Sequence, residues 1–166
     1  METGHSAGRL STGELCSYRD VALRARGRKT MTRIFSGGCA CGAIRYETSS
    51  QPIVENHCQC IHCQKRSGTG HGSYLTFPVR GAVAITGDAR IWRIAGDTGN
   101  DKLHAFCGTC GTPVYLTFAA MPELIAVHAG SLDDPSQFEP KLVTYSIRGH
   151  EWDAIDPLLP KFERMP

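Results

Sequence analysis

Cysteine spacing constrains this chain more than any other feature of its 166 residues. Seven of its eight cysteines form three clusters, namely a C-x-C pair (Cys39 and Cys41), a C-x-C-x-x-C triplet (Cys58, Cys60 and Cys63) and a C-x-x-C pair (Cys107 and Cys110). The first thirty residues contain no apolar signal-peptide core, so we expect a cytoplasmic protein whose thiols stay reduced. Clustered cysteines that stay reduced indicate metal ligands rather than disulfides.

The number of clustered cysteines indicates two zinc ions per chain. Thiolates are soft ligands that favour zinc, and a structural zinc is closed by four protein ligands whereas a catalytic zinc usually has three. Seven cysteines therefore fit one structural and one catalytic site, although spacing alone does not decide which clusters pair. Glycines at Gly108 and Gly111 permit the turn that lets a C-x-x-C pair converge. In a C-x-C pair, both side chains can share one face of an extended segment.

Short strands dominate the predicted secondary structure. The chain contains 18 glycines and 9 prolines, which favours turns and strands over a helix bundle. Its length suggests one domain, and no apolar run is long enough to span a membrane. The predicted strands cover residues 43–48, 73–77, 82–86, 90–94, 102–106, 113–118 and 124–129. We expect the third and fourth of these to form a hairpin, residues 61–67 to form a short helix closed by Gly68, and the stretch from Asp133 onward to wrap the surface.

Residues 1–30 differ in character from the remainder. They carry six basic and three acidic groups, a net charge of +3, whereas residues 31–166 have a net charge of −1. Residues 11–14 (Ser-Thr-Gly-Glu) match a capping box, so a short helix could follow. We nevertheless predict that residues 1–30 are a disordered or extraneous extension, that the domain spans residues 31–166 from a natural start at Met31, and that Cys16 is a free thiol. The balanced charge of the domain argues against a nucleic-acid partner.

Several longer motifs surround the clusters. They are GGCACGAIRY at residues 37–46, KRSG at 65–68 after the triplet, FCGTCG at 106–111 and AGSLDDP at 129–135. In this order, the motifs resemble the glutathione-dependent formaldehyde-activating enzyme (GFA) family, which includes centromere protein V and its relatives. The resemblance covers about residues 34–160 and all seven clustered cysteines.

The resemblance implies a fold, two metal sites and an activity. The fold would be a mainly β structure, a β-tent of small antiparallel sheets organised around zinc. Cys39, Cys41, Cys107 and Cys110 would hold a structural zinc, and Cys58, Cys60 and Cys63 would hold a catalytic zinc. The protein would be a carbon–sulfur lyase acting on a thiol–aldehyde adduct such as S-(hydroxymethyl)glutathione, with glutathione and formaldehyde as its small-molecule partners. No membrane partner is expected, and the oligomeric state is left open.

Alternatives remain for individual residues near the triplet. His57 or His62 could be a fourth ligand, which would close the second site. Lys65 and Arg66 could bind a carboxylate of a thiol peptide, or they could form an ordinary solvated face. The remaining histidines without ligand-like spacing are expected to be ordinary strand or loop residues; they are His71, His104, His128 and His150.

Two other function classes are consistent with clustered cysteines. A zinc-stabilised binding module would need the metal for folding but would have no catalytic activity. A redox or metal-handling thiol protein would have cysteines that react without prior chelation.

Overall fold

The structure, a computed structural model, describes residues 33–166. The predictions for residues 1–30, including the short helix and the free thiol at Cys16, lie outside the described residues. The strands are β1 (Phe35–Gly38), β2 (Arg45–Thr48), β3 (Val54–Cys58), β4 (Gly72–Phe77), β5 (Ala84–Thr86), β6 (Ala89–Ala95), β7 (Asp101–Cys107), β8 (Pro113–Phe118), β9 (Met121–His128), β10 (Leu142–Thr144) and β11 (Lys161–Phe162). The helix α1 covers Ile61–Ser67, and short 3-10 turns connect several of the strands.

The strands form two sheets, which confirms the mainly β prediction. β1, β2 and β5 form a three-stranded antiparallel sheet in the order β1-β2-β5. The other eight strands form a sheet in the order β11-β10-β3-β4-β9-β8-β7-β6. The larger sheet is antiparallel except at one end, where β10 runs parallel to β3 and β11 runs parallel to β10. α1 matches its predicted range, and Gly68 ends it in a left-handed conformation with φ of 73°.

The predicted hairpin between β5 and β6 is wrong. β5 pairs with β2 in the small sheet, whereas β6 pairs with β7 in the large sheet. Gly87 does make the expected turn, with φ of 84°, but this turn passes the chain from one sheet to the other. Alternating polarity marks a segment as a strand without specifying its partner, so sequence spacing could not reveal this change of sheet.

The expectation that the C-terminal stretch only wraps the surface is also wrong. β10 is inserted beside β3, and Val143 and Thr144 are fully buried. Directly before β10, the Lys141 N–H donates a hydrogen bond of 2.9 Å to the Glu55 carbonyl on β3. The three residues of β10 are too few to show alternating polarity. Its parallel partner β3 lies more than 80 residues away in the chain, so no local sequence pattern predicts this strand.

The large sheet has two chemically different faces because successive side chains on a strand point to opposite sides. Leu75 on β4 and Val127 on β9 belong to the main apolar core, which also contains residues of the small sheet. Their neighbours Tyr74 and Ala126 belong instead to a second buried cluster, together with the three cysteines of the triplet. One face of the sheet therefore forms the core, and the opposite face carries a candidate site.

We predict that Gly87→Ala destabilises the domain more than Gly99→Ala. Both glycines have positive φ, at 84° and 79°, so both substitutions incur the left-handed strain of roughly 1–2 kcal/mol. A Cβ on Gly87 would lie 1.9 Å from the Ala43 carbonyl oxygen, whereas nothing lies within 4 Å of one on Gly99. Urea unfolding of both variants measures the difference. Equal losses in free energy of unfolding would contradict the close packing between this turn and Ala43.

Candidate metal centres

Four cysteine sulfurs from two distant segments converge at one end of the molecule. The Sγ atoms of Cys39, Cys41, Cys107 and Cys110 all lie within 4.8 Å of one another. The Cys39 and Cys41 sulfurs are 3.5 Å apart, and the Cys41 and Cys107 sulfurs are 3.7 Å apart. These separations are far longer than a disulfide of about 2.05 Å and close to the ~3.8 Å edge of a tetrahedron with Zn–S bonds of about 2.3 Å. The cluster therefore has the ligands and spacing of a four-thiolate metal site.

Two similar turns present these four cysteines. In one turn the Gly42 N–H donates to the Cys39 carbonyl, and in the other the Gly111 N–H donates to the Cys107 carbonyl, each over 2.9 Å. Gly42 and Gly111 have φ of 77° and 75°, a conformation that favours glycine. Cys39 and Cys41 thus converge through a turn rather than along an extended segment. Gly111, and not Gly108, supplies the left-handed residue of the C-x-x-C turn.

Backbone and hydroxyl donors point at the sulfurs of this cluster. The Ile44 N–H donates to Cys39 Sγ over 3.2 Å, and the Thr109 N–H donates to Cys107 Sγ over 3.4 Å. A hydrogen bond with the Thr112 hydroxyl lowers the pKa of Cys110 to about 5. Donors of this kind favour the thiolate form, which is the form that binds a metal ion.

The triplet forms a second cluster on the site face of the large sheet. Cys58 ends β3, Cys60 is the N-cap of α1 and Cys63 lies in the first turn of that helix; all three are buried. The Cys60 and Cys63 sulfurs are 3.1 Å apart, and all three sulfurs lie within 4.8 Å of one another. Hydrogen bonds from the Cys58 and Cys63 thiols lower the pKa of Cys60. The triplet is therefore preorganised to place three sulfurs around one ion.

Arg66 provides a charge that suits a metal at the triplet. One zinc ion with three thiolates has a net charge of −1, and a buried charge needs a partner of opposite sign. The Arg66 side chain turns inward from α1, so it is neither a solvated charge nor free for a carboxylate as the sequence suggested. Burial lowers its pKa, whereas the neighbouring Tyr74 and Cys63 raise it. Its Nη2 is buried with no hydrogen-bond partner among residues 33–166.

The structure brings neither candidate histidine into the triplet cluster, which holds no histidine in the described part of the chain. His57 precedes Cys58 on β3 and so points to the opposite face, where its Nδ1 lies 2.9 Å from the Ser73 hydroxyl. The His62 ring lies against Trp92, with ring centroids 6.1 Å apart. Three cysteines without a fourth protein ligand within residues 33–166 match the open arrangement of a catalytic metal site.

A cavity of about 70 Å³ adjoins the triplet. Besides the three cysteines, its polar lining residues are Asn56, His62, Tyr74, Thr76, Lys102, His104 and Thr144. Leu116, Phe118 and Ala126 form part of its apolar wall. The cavity holds several water-sized volumes but is far smaller than the ~300–1,000 Å³ pockets that enclose drug-sized ligands. It therefore suits a small reactive group rather than a whole peptide-like molecule.

The family model for the glutathione-dependent formaldehyde-activating enzyme matches residues 34–148, which is more than half of the chain. The chain belongs to this family. A protein of Rhodobacter sphaeroides has a similar crystal structure, at 20% sequence identity and a TM-score of 0.51, over 66% of this chain and 99% of that one. At such low identity, this second likeness concerns the fold alone.

Several residues near the triplet of this GFA-family protein were not singled out from the sequence. Lys102 and His104 are two residues apart on β7, so they share a face, and both line the cavity. The Tyr74 hydroxyl donates to Cys63 Sγ over 3.2 Å, and His128 lies beside Arg66. The alternation of β7 would place Lys102 and His104 together, but no local signal places β7 beside the triplet.

The four remaining histidines of the described region have different surroundings. His71 and Asp153 form a partly buried side-chain contact, with 2.7 Å between Nδ1 and Oδ2. The His150 ring stacks on Trp152 at a centroid distance of 5.1 Å. His104 on β7 and His128 on β9 are strand residues, as expected, and both are buried beside Arg66. No helix among residues 33–166 is long and apolar enough to cross a membrane.

We predict that Cys107→Ala removes one bound zinc per chain and unfolds the domain. Zinc binding at a structural site contributes ~10–16 kcal/mol, which is comparable to or larger than a typical domain stability of ~5–15 kcal/mol. Metal analysis and circular dichroism of the purified protein measure both effects. Cys16→Ala is the matched control, because the cysteine it replaces lies outside the clusters, and it should leave both unchanged. A Cys107→Ala variant with native circular dichroism and melting temperature would argue against the four-cysteine site.

Proposed function

We propose that this protein is a carbon–sulfur lyase that makes and breaks a thiol–aldehyde adduct such as S-(hydroxymethyl)glutathione. The observation that carries the proposal is the triplet of Cys58, Cys60 and Cys63, buried beside a small cavity and without a fourth ligand in the described region. Membership of the glutathione-dependent formaldehyde-activating enzyme family supports this chemistry. Glutathione and formaldehyde are the substrates that the family description suggests.

In this proposal the two cysteine clusters have different roles. The four-cysteine cluster holds a closed, structural zinc that joins two distant turns. The triplet holds a catalytic zinc. A zinc ion bound there would keep a substrate thiol in its thiolate form, because a thiol that coordinates zinc is deprotonated.

The reaction itself is a reversible addition. The substrate thiol loses its proton to water, its sulfur forms a bond to the carbonyl carbon as the π electron pair of C=O moves to oxygen, and that oxygen takes a proton back from water. In the reverse direction the hydroxyl proton leaves, C=O forms again and the C–S bond breaks with its electron pair on sulfur. The protein's contribution is to hold both partners in contact, which makes their encounter effectively unimolecular.

The cavity is large enough for only one part of the proposed substrate. A space of about 70 Å³ admits the one-carbon aldehyde group but not a tripeptide, so the body of the thiol lies outside. Lys102 lines this cavity, is half-buried and forms no salt bridge within residues 33–166. We propose that its ammonium binds a carboxylate of the thiol substrate, the role that Arg66 cannot take because it points inward.

The state of the cysteines supports action in a reducing compartment. All seven cysteines in the described region are free of disulfides, although several sulfurs lie within 4 Å of each other. A reducing compartment keeps such close thiols from pairing as disulfides and leaves them available as metal ligands. We therefore propose a cytoplasmic location and small-molecule partners.

We predict that Cys60→Ala abolishes catalysis and leaves the domain folded. The readout is exchange-spectroscopy NMR on a glutathione and formaldehyde mixture, which reports the rate of adduct interconversion at equilibrium. The wild-type protein should accelerate interconversion, and Cys60→Ala should not, while its circular dichroism stays native and one zinc remains bound. Cys16→Ala should behave as wild type. Zinc-loaded wild-type protein without any acceleration would refute the proposed substrates and favour a zinc-stabilised binding module.

A second prediction concerns the thiol substrate. Lys102→Gln should raise the KM for glutathione by roughly tenfold, equivalent to about 1.4 kcal/mol, because one charge–charge contact is lost. It should leave the KM for cysteamine, a thiol without a carboxylate, almost unchanged. Lys65→Gln is the matched control, because Lys65 is exposed on α1 and does not line the cavity. Equal effects on both thiols would rule out a carboxylate-binding role for Lys102.

A further inference from the structure

The environment of His104 determines which of its ring nitrogens carries a proton. His104 is buried, with 2% of its surface exposed, and Arg66 Nη1 is in close contact with its Nδ1. A guanidinium group can only donate hydrogen bonds, so Nδ1 must be the acceptor. An imidazole with an accepting Nδ1 is neutral and carries its single proton on Nε2.

The protonated Nε2 borders the cavity beside the triplet. No residue of the described chain forms a hydrogen bond to His104 Nε2, yet it is not among the fully enclosed atoms that lack a partner. It therefore touches open space, and the space that His104 lines is the cavity. Arg66 does not line that cavity, so the Nδ1 edge of the ring faces the protein and the Nε2 edge remains for a ligand.

We propose that His104 is a catalytic residue whose Nε2–H donates a hydrogen bond to the aldehyde oxygen during carbon–sulfur bond formation and cleavage. This inference rests on the proposed function and identifies the group that recognises the carbonyl end of the substrate. The same cavity is lined by the three triplet cysteines, so the donor and the position for the substrate sulfur share one small space. That arrangement places the carbonyl carbon near sulfur and its oxygen near His104.

The donor acts without losing its proton. As sulfur bonds to the carbonyl carbon, negative charge develops on oxygen, and a hydrogen bond fixed in place before the reaction stabilises that charge. Water then supplies the proton that completes the hydroxyl group, because a neutral imidazole is far too weak an acid to give up its own. Neutral histidines are known to polarise carbonyl oxygens in this way.

Two further observations agree with a neutral, rigid donor. Burial, followed by the positive charges of Arg66 and Lys102, lowers the pKa of His104 to about 3, so the ring does not become a cation near neutral pH. The Trp92 ring lies over the His104 ring at a centroid distance of 5.6 Å and a tilt of 31°. Arg66 and Trp92 therefore hold the imidazole in one orientation.

His128 provides a matched control within the same cluster. Its Nε2 lies 3.3 Å from the same Arg66 Nη1, so it accepts from the same guanidinium nitrogen as His104. It is also buried, but it does not line the cavity. Loss of either histidine removes one acceptor from Arg66, whereas loss of His104 alone removes a donor from the cavity.

The first test is spectroscopic and does not depend on turnover. In nitrogen-15 NMR of the zinc-loaded protein at pH 7, His104 should show a protonated Nε2 and an unprotonated Nδ1. Titration with acetamide, an unreactive small carbonyl compound, should shift the His104 Nε2–H resonance and leave that of the His128 ring unchanged. A proton on Nδ1, a doubly protonated ring or no shift with acetamide would overturn the proposal.

The second test compares three variants in the exchange assay. His104→Leu should lower kcat by about 100- to 1,000-fold, the usual effect of removing one oxyanion donor. His104→Gln, which retains an N–H donor of similar reach, should recover part of this loss. His128→Leu should remain within a few-fold of wild type, with all three variants checked for zinc content and circular dichroism. Equal losses in His104→Leu and His128→Leu would show that His104 only supports Arg66 and would overturn the proposal.

The two tests separate this inference from the proposed function. If wild-type protein does not accelerate adduct exchange, the proposed function fails, but an acetamide-induced shift at His104 would still support a carbonyl-oxygen donor in the cavity. If wild-type protein is active and His104→Leu retains full activity, the proposed function stands and the role of His104 is overturned.

Discussion

Convergence of four cysteine sulfurs at one point is the constraint on which the rest of the structure depends. Cys39 and Cys41 follow the first strand of the small sheet, and Cys107 ends a strand of the large sheet. An ion held there would fix the two sheets against each other. Between them lies the main core, in which Phe35 and Phe77 pack edge to face with ring centroids 5.5 Å apart. A metal ion bound at this cluster would thus stabilise the same contact between sheets as the apolar core does.

One face of the large sheet packs in the apolar core, and the opposite face carries the candidate site. Residues such as Leu75 and Val127 stabilise the core, while their strand neighbours Tyr74 and Ala126 help to enclose the triplet on the opposite side. Strong hydrogen-bonded pairing across the sheet makes this platform rigid, and a site on rigid strands holds its groups more precisely than one on loops. Helix α1 then completes the site, because its N-cap and first turn carry two of the three sulfurs.

Charge balance explains the unusual surroundings of the triplet. A buried group of three thiolates would be costly without compensation, and Arg66 lies on the protein side of the cluster with one nitrogen left without a partner among the described residues. Its other contacts are with His104 and His128, two rings that accept from it rather than compete with it as cations. The Arg66 guanidinium can therefore balance the negative charge of the triplet thiolates, and it also favours neutral rings at His104 and His128. The cavity of about 70 Å³ that remains is large enough only for a small chemical group.

The sequence by itself determined the features that arise from local interactions. Ligand type follows from the cysteines, the helix at residues 61–67 follows from residue types that permit a helix and from a glycine stop, and β2 follows from its own alternating polarity. Only the tertiary structure decided which strands pair, because alternation leaves the partner of a strand unspecified; hence the predicted hairpin at Gly87 was wrong and β10 was missed. For the same reason, the sequence did not identify Lys102 and His104 as residues of the site. Their alternation on β7 was visible, but their position beside the triplet depends on contacts between residues about 40 positions apart in the chain.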